Sequence, residues 1–197
     1  EGLGALHRVP VADPDVFRNR DMRALNHAHL FEIPLAAENG LDLDGLTPGL
    51  AAEAARLRAD AAYVAAVADL GSRYLADGET LLHGDFYPGS WVRTVQGPFV
   101  IDPEFAFLGP AAFDLGVAVA HLLMAGADDV SGLLDAYPGP VDEPLVAGFA
   151  GVEIMRRLLG VAQLPMTRDL EEKARLLRRS ARLVLDRVVA PALYRIA

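Results

Sequence analysis

Apolar residues recur at helical spacing along most of this chain. From residue 49 to 75 the sequence is alanine-rich, with Leu57, Val64, Val67 and Leu70 on one face, which predicts one long helix or two. Thr47-Pro48 reads as its start, because proline suits a first helical turn. Further helices are predicted over 111–126, 129–136, 142–161 and 168–188, with Pro138 and Pro140 separating the second from the third and Pro165 the third from the fourth. Within the last, Leu176, Leu177, Leu183 and Val184 form a core-facing stripe, and Arg175, Arg178, Arg179, Arg182 and Arg187 form a solvated face. Residues 10–50 carry Pro10, Pro14, Pro34 and Pro48 among short helical segments and read as an irregular wrapping stretch, and a short packed tail is expected from Pro191 onward.

One segment has a different period. Trp91 to Val95 alternates roughly and is rich in β-formers, Gln96-Gly97-Pro98 is turn chemistry, and Phe99-Val100-Ile101 is a short apolar run. These predict a β-hairpin in an otherwise helical chain, an α+β fold that is mostly helical. A hairpin brings its outer ends together, so the His83-Gly84-Asp85 loop and the Asp102-Pro103-Glu104 exit are expected side by side. On an extended backbone residues i and i+2 point the same way, so Asp102 and Glu104 are expected to share one cation. Phosphoryl transfer needs such a set: one carboxylate orients and deprotonates the attacking hydroxyl while others hold magnesium against the phosphates. Taken singly, each of these acids reads more readily as a solvated turn residue than as a site residue.

The ordered combination is more specific than its parts. His83-Gly84-Asp85, Gly89-Ser90, Ile101 through Phe107, Gly109-Pro110 and Phe113-Asp114 with Gly116 resemble the catalytic run of the aminoglycoside phosphotransferase and choline kinase superfamily, whose architecture is similar to that of protein kinases. Within it they resemble the methylthioribose kinase family. The resemblance implies that Asp85 is the catalytic base, that Asp102 and Glu104 bind Mg2+, that Asp114 holds the catalytic loop in shape and that His83 braces it. It places Ser90 at the cofactor, where most relatives carry an asparagine that helps bind metal. Met155-Arg156-Arg157-Leu158-Leu159-Gly160 resembles an arginine pair near the substrate and the transferred phosphate. Adjacent helical residues diverge by about 100°, so one of Arg156 and Arg157 is expected to face the cleft fully. Phe86-Tyr87-Pro88 departs from the Leu-His-Thr of methylthioribose kinases and is more like general aminoglycoside-type phosphotransferases.

The resemblance therefore implies an ATP-dependent kinase phosphorylating a hydroxyl of a sugar-like molecule, methylthioribose favoured. An aminoglycoside phosphotransferase is the alternative, with Asp128, Asp129, Asp142 and Glu143 as candidates for an acidic acceptor cleft. A catalytically silent binding module is a third reading, against which intact Asp85, Asp102 and Glu104 speak. The single lysine, Lys173, falls in the C-terminal helix and cannot serve the nucleotide phosphates. Residues 1–197 are accordingly expected to be the C-terminal lobe of a kinase whose N-terminal nucleotide-binding lobe is absent from the chain, and to be nearly inactive alone. That lobe is one expected partner, and a second copy is another because methylthioribose kinases tend to be dimers.

Composition narrows the remaining classes. With 52% hydrophobic residues over 197 positions, one domain with a full core is expected. No cysteine is present, which excludes disulfides and thiolate metal sites. A net charge of −9 argues against nucleic acid as a partner. The apolar run from Leu115 to Ala125 is too short to span a membrane and reads as a core helix, with His121 a satisfied core histidine. With no basic n-region at the start, a cytoplasmic protein is expected.

Overall fold

Helix α6 (Ala112–Met124) lies at the centre of the fold, buried along almost its whole length. In the computed structural model, which describes residues 2–164 and 168–189, α6 packs on α8 (Glu143–Leu159), and α8 packs in turn on α9 (Leu170–Asp186). Carboxylate caps start α8 and α9: Asp142 Oδ1 accepts from Leu145 N at 3.1 Å and Asp169 Oδ1 from Glu172 N at 2.9 Å. The predicted stripe of α9 is buried as expected, with Leu176, Leu177, Leu183 and Val184 all in the core. Pro165 and the tail from Pro191 lie outside the described residues.

The alanine-rich stretch forms two helices, α4 (Leu50–Ala59) and α5 (Ala61–Leu75). They break at Asp60, whose extended backbone (φ −79°, ψ 96°) lets its Oδ1 cap α5 at Tyr63 N, 3.0 Å away. Leu57, Val67 and Leu70 are buried, whereas Val64 is only half-buried at the margin of the stripe. The helix does not start at Thr47-Pro48. Thr47 closes the short α3 (Leu43–Leu46), and Asp44 Oδ1 accepts from Gly49 N and Ala51 N at 3.1 and 2.9 Å, fixing the start at Leu50. Ahead of these lie α1 (Gly2–Leu6) and α2 (Arg20–His27), the latter continuing through a π turn at Ala28–Glu32 and a 3-10 turn at Ile33–Leu35. A short α7 (Ser131–Asp135) links α6 to α8.

Two small antiparallel strand pairs complete the α+β fold. β1 (Thr80–Leu82) pairs with β4 (Phe107–Gly109), buried between the helices and the site, a pair too short for sequence alternation to reveal. β2 (Trp91–Thr94) pairs with β3 (Gly97–Val100) as the predicted hairpin, with the turn one residue earlier than expected. Gly97 takes the positive φ of 113° that the turn needs, and Pro98 sits within the strand. The extended backbone expected between Asp102 and Glu104 is not found. Asp102 is left-handed (φ 61°, ψ 57°) and Pro103–Phe105 turns as a 3-10 helix, because the proline ring locks its own φ at the start of that turn. Tyr74 joins the layers, its ring 5.0 Å from that of Phe107 and 4.8 Å from that of Phe113. Among the described residues no helix is long and apolar enough to cross a membrane.

The α6–α8 crossing depends on Gly116. A Cβ there would lie 2.9 Å from Val146 O and 3.0 Å from Ala150 N, backbone atoms that cannot yield cheaply. Gly116→Ala would gain about 1 kcal/mol of helix propensity and lose about 1–3 kcal/mol to overpacking. We expect a net loss of stability in denaturant titration; a stabilised variant would show that the two helices separate freely.

Candidate active site

β1 delivers the chain into the His83-Gly84-Asp85 loop, and β4 returns it to α6, so the loop and the first turn of α6 face each other. Asp114, fully buried there, receives the loop: its Oδ2 accepts from His83 N at 2.7 Å and its Oδ1 from Gly84 N at 3.0 Å. His7 Nε2 lies 3.1 Å from the same Oδ2, and Tyr137 Oη 2.8 Å from His7 Nδ1. Gly84 has φ 84°, and a Cβ on it would meet Phe105 O at 2.1 Å, so no other residue fits.

The His83 ring ties the loop to the hairpin. Its Nε2 lies 2.8 Å from Ile101 O, and its Nδ1 accepts from Asp85 N at 3.3 Å, partners that assign the proton to Nε2. Ser90, also buried, donates its hydroxyl to Asp85 O at 2.9 Å, and its own carbonyl accepts from Ile101 N at 2.9 Å. Loop and hairpin exit are thus joined through main-chain atoms, one residue before Asp102.

The Asp85 carboxylate meets α8. Arg156 Nη2 and Arg157 Nη2 both donate to its Oδ1, at 2.5 and 2.9 Å. The expectation that one arginine faces the cleft is corrected here: the side chains are long enough to converge although their Cα positions diverge, and both are buried. Behind them stands Glu153, wholly buried, which bonds Arg156 Nε through Oε2 and accepts through Oε1 from Arg156 Nη2 at 3.1 Å and Arg157 Nε at 2.7 Å. Burial alone would push this carboxyl up, but Arg156, Arg157 and His121 hold it well below the ordinary glutamate value. Burial would likewise lower the Arg156 guanidinium, yet Glu153 and Asp85 raise it.

His121 is satisfied, but by this network: its Nε2 lies 3.0 Å from Glu153 Oε1. Its ring packs 5.0 Å from that of Tyr87, over which the Arg157 Cζ sits at 4.6 Å. Sequence reasoning missed Glu153 and Tyr87. The signal available was helical spacing, since a carboxylate three and four residues before two arginines shares a face with both.

Asp102 and Glu104 are exposed at the hairpin exit, and neither carboxylate has a hydrogen-bond or ion-pair partner among the described residues. A non-glycine residue at positive φ is a strained position of the sort that clusters at functional sites. Two carboxylates free of protein partners, open to water, fit magnesium, which keeps several waters and takes phosphate oxygens beside one or two acids. No group of three or more histidine and carboxylate ligands exists among the described residues, so a closed all-protein cage is not built. Of the acids considered for an acceptor cleft, Asp129 accepts from Ser131 N and Oγ just ahead of α7, and Asp142 caps α8. Asp128 lines a separate groove beside α9.

Residues 1–149 match the model of the phosphotransferase enzyme family. Among curated relatives, a methylthioribose kinase of Exiguobacterium sibiricum is 31% identical over 224 aligned positions, covering 90% of this chain and 57% of the relative. Methylthioribose kinase 1 of Oryza sativa subsp. japonica is 40% identical over 79 positions, 40% of this chain and 18% of the relative. A methylthioribose kinase of Yersinia enterocolitica is 42% identical over 95 positions, 47% of this chain and 24% of the relative. The chain therefore spans little more than half the length of the first of these relatives and smaller parts of the others.

The low-lying Glu153 carboxyl carries a pH signature. An unfolded chain binds this proton near the ordinary value of about 4.3, the native chain only well below it, so the stabilisation is present above that value and lost as pH falls through the native one. At neutral pH, Glu153→Gln is expected to cost about 3–5 kcal/mol, as when one partner of a buried ion pair is removed. The gap between wild type and Glu153→Gln in urea titrations should narrow from pH 5 downward; a gap constant across that range would contradict the assignment.

Proposed function

Because the chain belongs to the phosphotransferase enzyme family, we propose that it forms the catalytic C-terminal lobe of an ATP-dependent kinase acting on a hydroxyl of a sugar-like acceptor, with methylthioribose favoured. The observation that carries the proposal is the state of Asp85. Its backbone is braced through Asp114, His83 and Ser90, and both arginines use Oδ1, leaving Oδ2 without a partner among the described residues. Oδ2 is the acceptor for the proton of an attacking hydroxyl, and fixing the carboxylate on its other oxygen sets the direction of attack.

The arginines complete the charge pattern. Arg156 Nη1 makes no hydrogen bond among the described residues and is the donor for a phosphoryl oxygen as charge spreads over it. Magnesium, when bound at Asp102 and Glu104, would neutralise the nucleotide's phosphate oxygens. Ser90 supports this side of the site, its hydroxyl keeping lone pairs free while it donates to Asp85 O. Lys173 is buried and donates to Thr47 Oγ1 at 2.6 Å. The lysine for the nucleotide phosphates is therefore assigned to an N-terminal lobe outside this chain. The names of the relatives favour methylthioribose as acceptor, and the engagement of Asp129 with Ser131 and of Asp142 with the start of α8 weakens the aminoglycoside alternative.

In the full-length natural protein with magnesium, ATP and methylthioribose, Asp85→Asn is expected to lower kcat about 10²–10⁴-fold, the range for removal of a general base. ADP release and acceptor phosphorylation are both to be followed. Turnover of an aminoglycoside but not methylthioribose would move the acceptor assignment, and undiminished turnover in the variant would remove Asp85 from its role.

A further inference from the structure

We propose that Glu153 and His121 are positioning residues for phosphoryl transfer, holding Arg156 and Arg157 with their Nη2 ends together on one oxygen of Asp85. This rests on the phosphotransferase assignment above and extends it to two residues that touch neither acceptor nor nucleotide in that scheme. Arg156 and Arg157 leave α8 about 100° apart, so the helix alone does not aim both at Asp85. Glu153 does. It precedes them by three and four residues, where side chains share a face, and draws both Nε groups back along the helix. Each guanidinium is then gripped at Nε by Glu153 and offers Nη2 to Asp85, a planar arrangement that fixes both rotation and reach.

Charge makes the anchor specific. Two guanidiniums lie against two carboxylates, Glu153 and Asp85, all four mostly buried, so the cluster is balanced. Without Glu153, two cations would converge on the carboxylate that must take a proton. His121 completes the support from α6: it bonds Glu153 Oε1 and backs Tyr87, the platform under Arg157. His121 lies seven residues after Asp114, two turns along the same face of α6. α6 thereby holds the loop that leads into Asp85 through Asp114, and supports Glu153 of α8 through His121.

The test uses the full-length protein with Glu153→Gln, Glu153→Asp, His121→Phe and the pair Arg156→Ala/Arg157→Ala, alone and with Glu153→Gln. Melting curves identify variants that remain folded. We expect Glu153→Gln and Glu153→Asp to lower kcat about 100-fold, the loss for a misplacement near 1 Å, and His121→Phe about 10-fold. KM for ATP should stay within about twofold in all three, since the arginines act on the transferring group. Adding Glu153→Gln to the arginine pair should cause no further loss, because residues acting through one another are not additive. Multiplying losses, or full kcat in a folded Glu153 variant, would overturn the proposal. The arginine Nε–H NMR signals give a reading independent of turnover. Slow exchange at Arg156 and Arg157 in wild type, lost in Glu153→Asp or His121→Phe, supports the anchor, and protection retained in both overturns it. Should wild type phosphorylate no acceptor, the kinase assignment fails while these signals still decide whether Glu153 positions the pair. Should Glu153→Gln not fold, His121→Phe and Glu153→Asp carry the test.

Discussion

Oδ1 of Asp85 is the point on which this structure turns, because two buried guanidiniums from α8 meet there. Burying such charges is costly unless each is paired and hydrogen-bonded. The chain meets that demand with Glu153, a buried carboxylate on the face of α8 that it shares with both arginines. The surrounding elements shield all of this cluster but the outer edge of Asp85 from water. α8 is covered by α6 on one side and α9 on the other, and His121 and Tyr87 close the network toward the loop.

The same geometry separates the two halves of the proposed site by exposure. Asp85, its arginines and their anchor lie in or at the core, where hydrogen bonds define position. Asp102 and Glu104 lie exposed at the hairpin exit, where no group among the described residues competes for them. Such a division suits phosphoryl transfer, in which the acceptor's proton must be met at a fixed point while a hydrated cation and a polyphosphate enter from solvent. His83 links the halves through Ile101 O, so movement of the hairpin exit and of the loop is coupled.

Much of this was legible from residues alone. The helices after the site follow the apolar period and proline breaks to within a few residues, and the hairpin follows its alternation and turn chemistry. Local chemistry escaped notice where it overrides pattern. The alanine-rich stretch reads as one helix or two, and it is Asp60, capping the second, that places the break; Asp44 rather than Thr47-Pro48 decides where α4 begins. The β1–β4 pair is three residues long and buried, so it has no period to read. Asp102 adopts a left-handed backbone, which is uncommon for any residue but glycine even though aspartate is among those enriched there. The arginine pair was visible as a motif, but their convergence was not, because it depends on Glu153, which helical spacing marks only once arginine is considered as an ion-pair partner.

The most direct measurement is a crystal structure of the full-length protein with magnesium, a non-hydrolysable ATP analogue and methylthioribose. The account places the acceptor hydroxyl about 2.6–3.2 Å from Asp85 Oδ2, with Glu153 still bonded to both arginines and the metal at Asp102 and Glu104. An acceptor hydroxyl bound away from Asp85, or an arginine pair released from Glu153 with the hydroxyl in place, would contradict it.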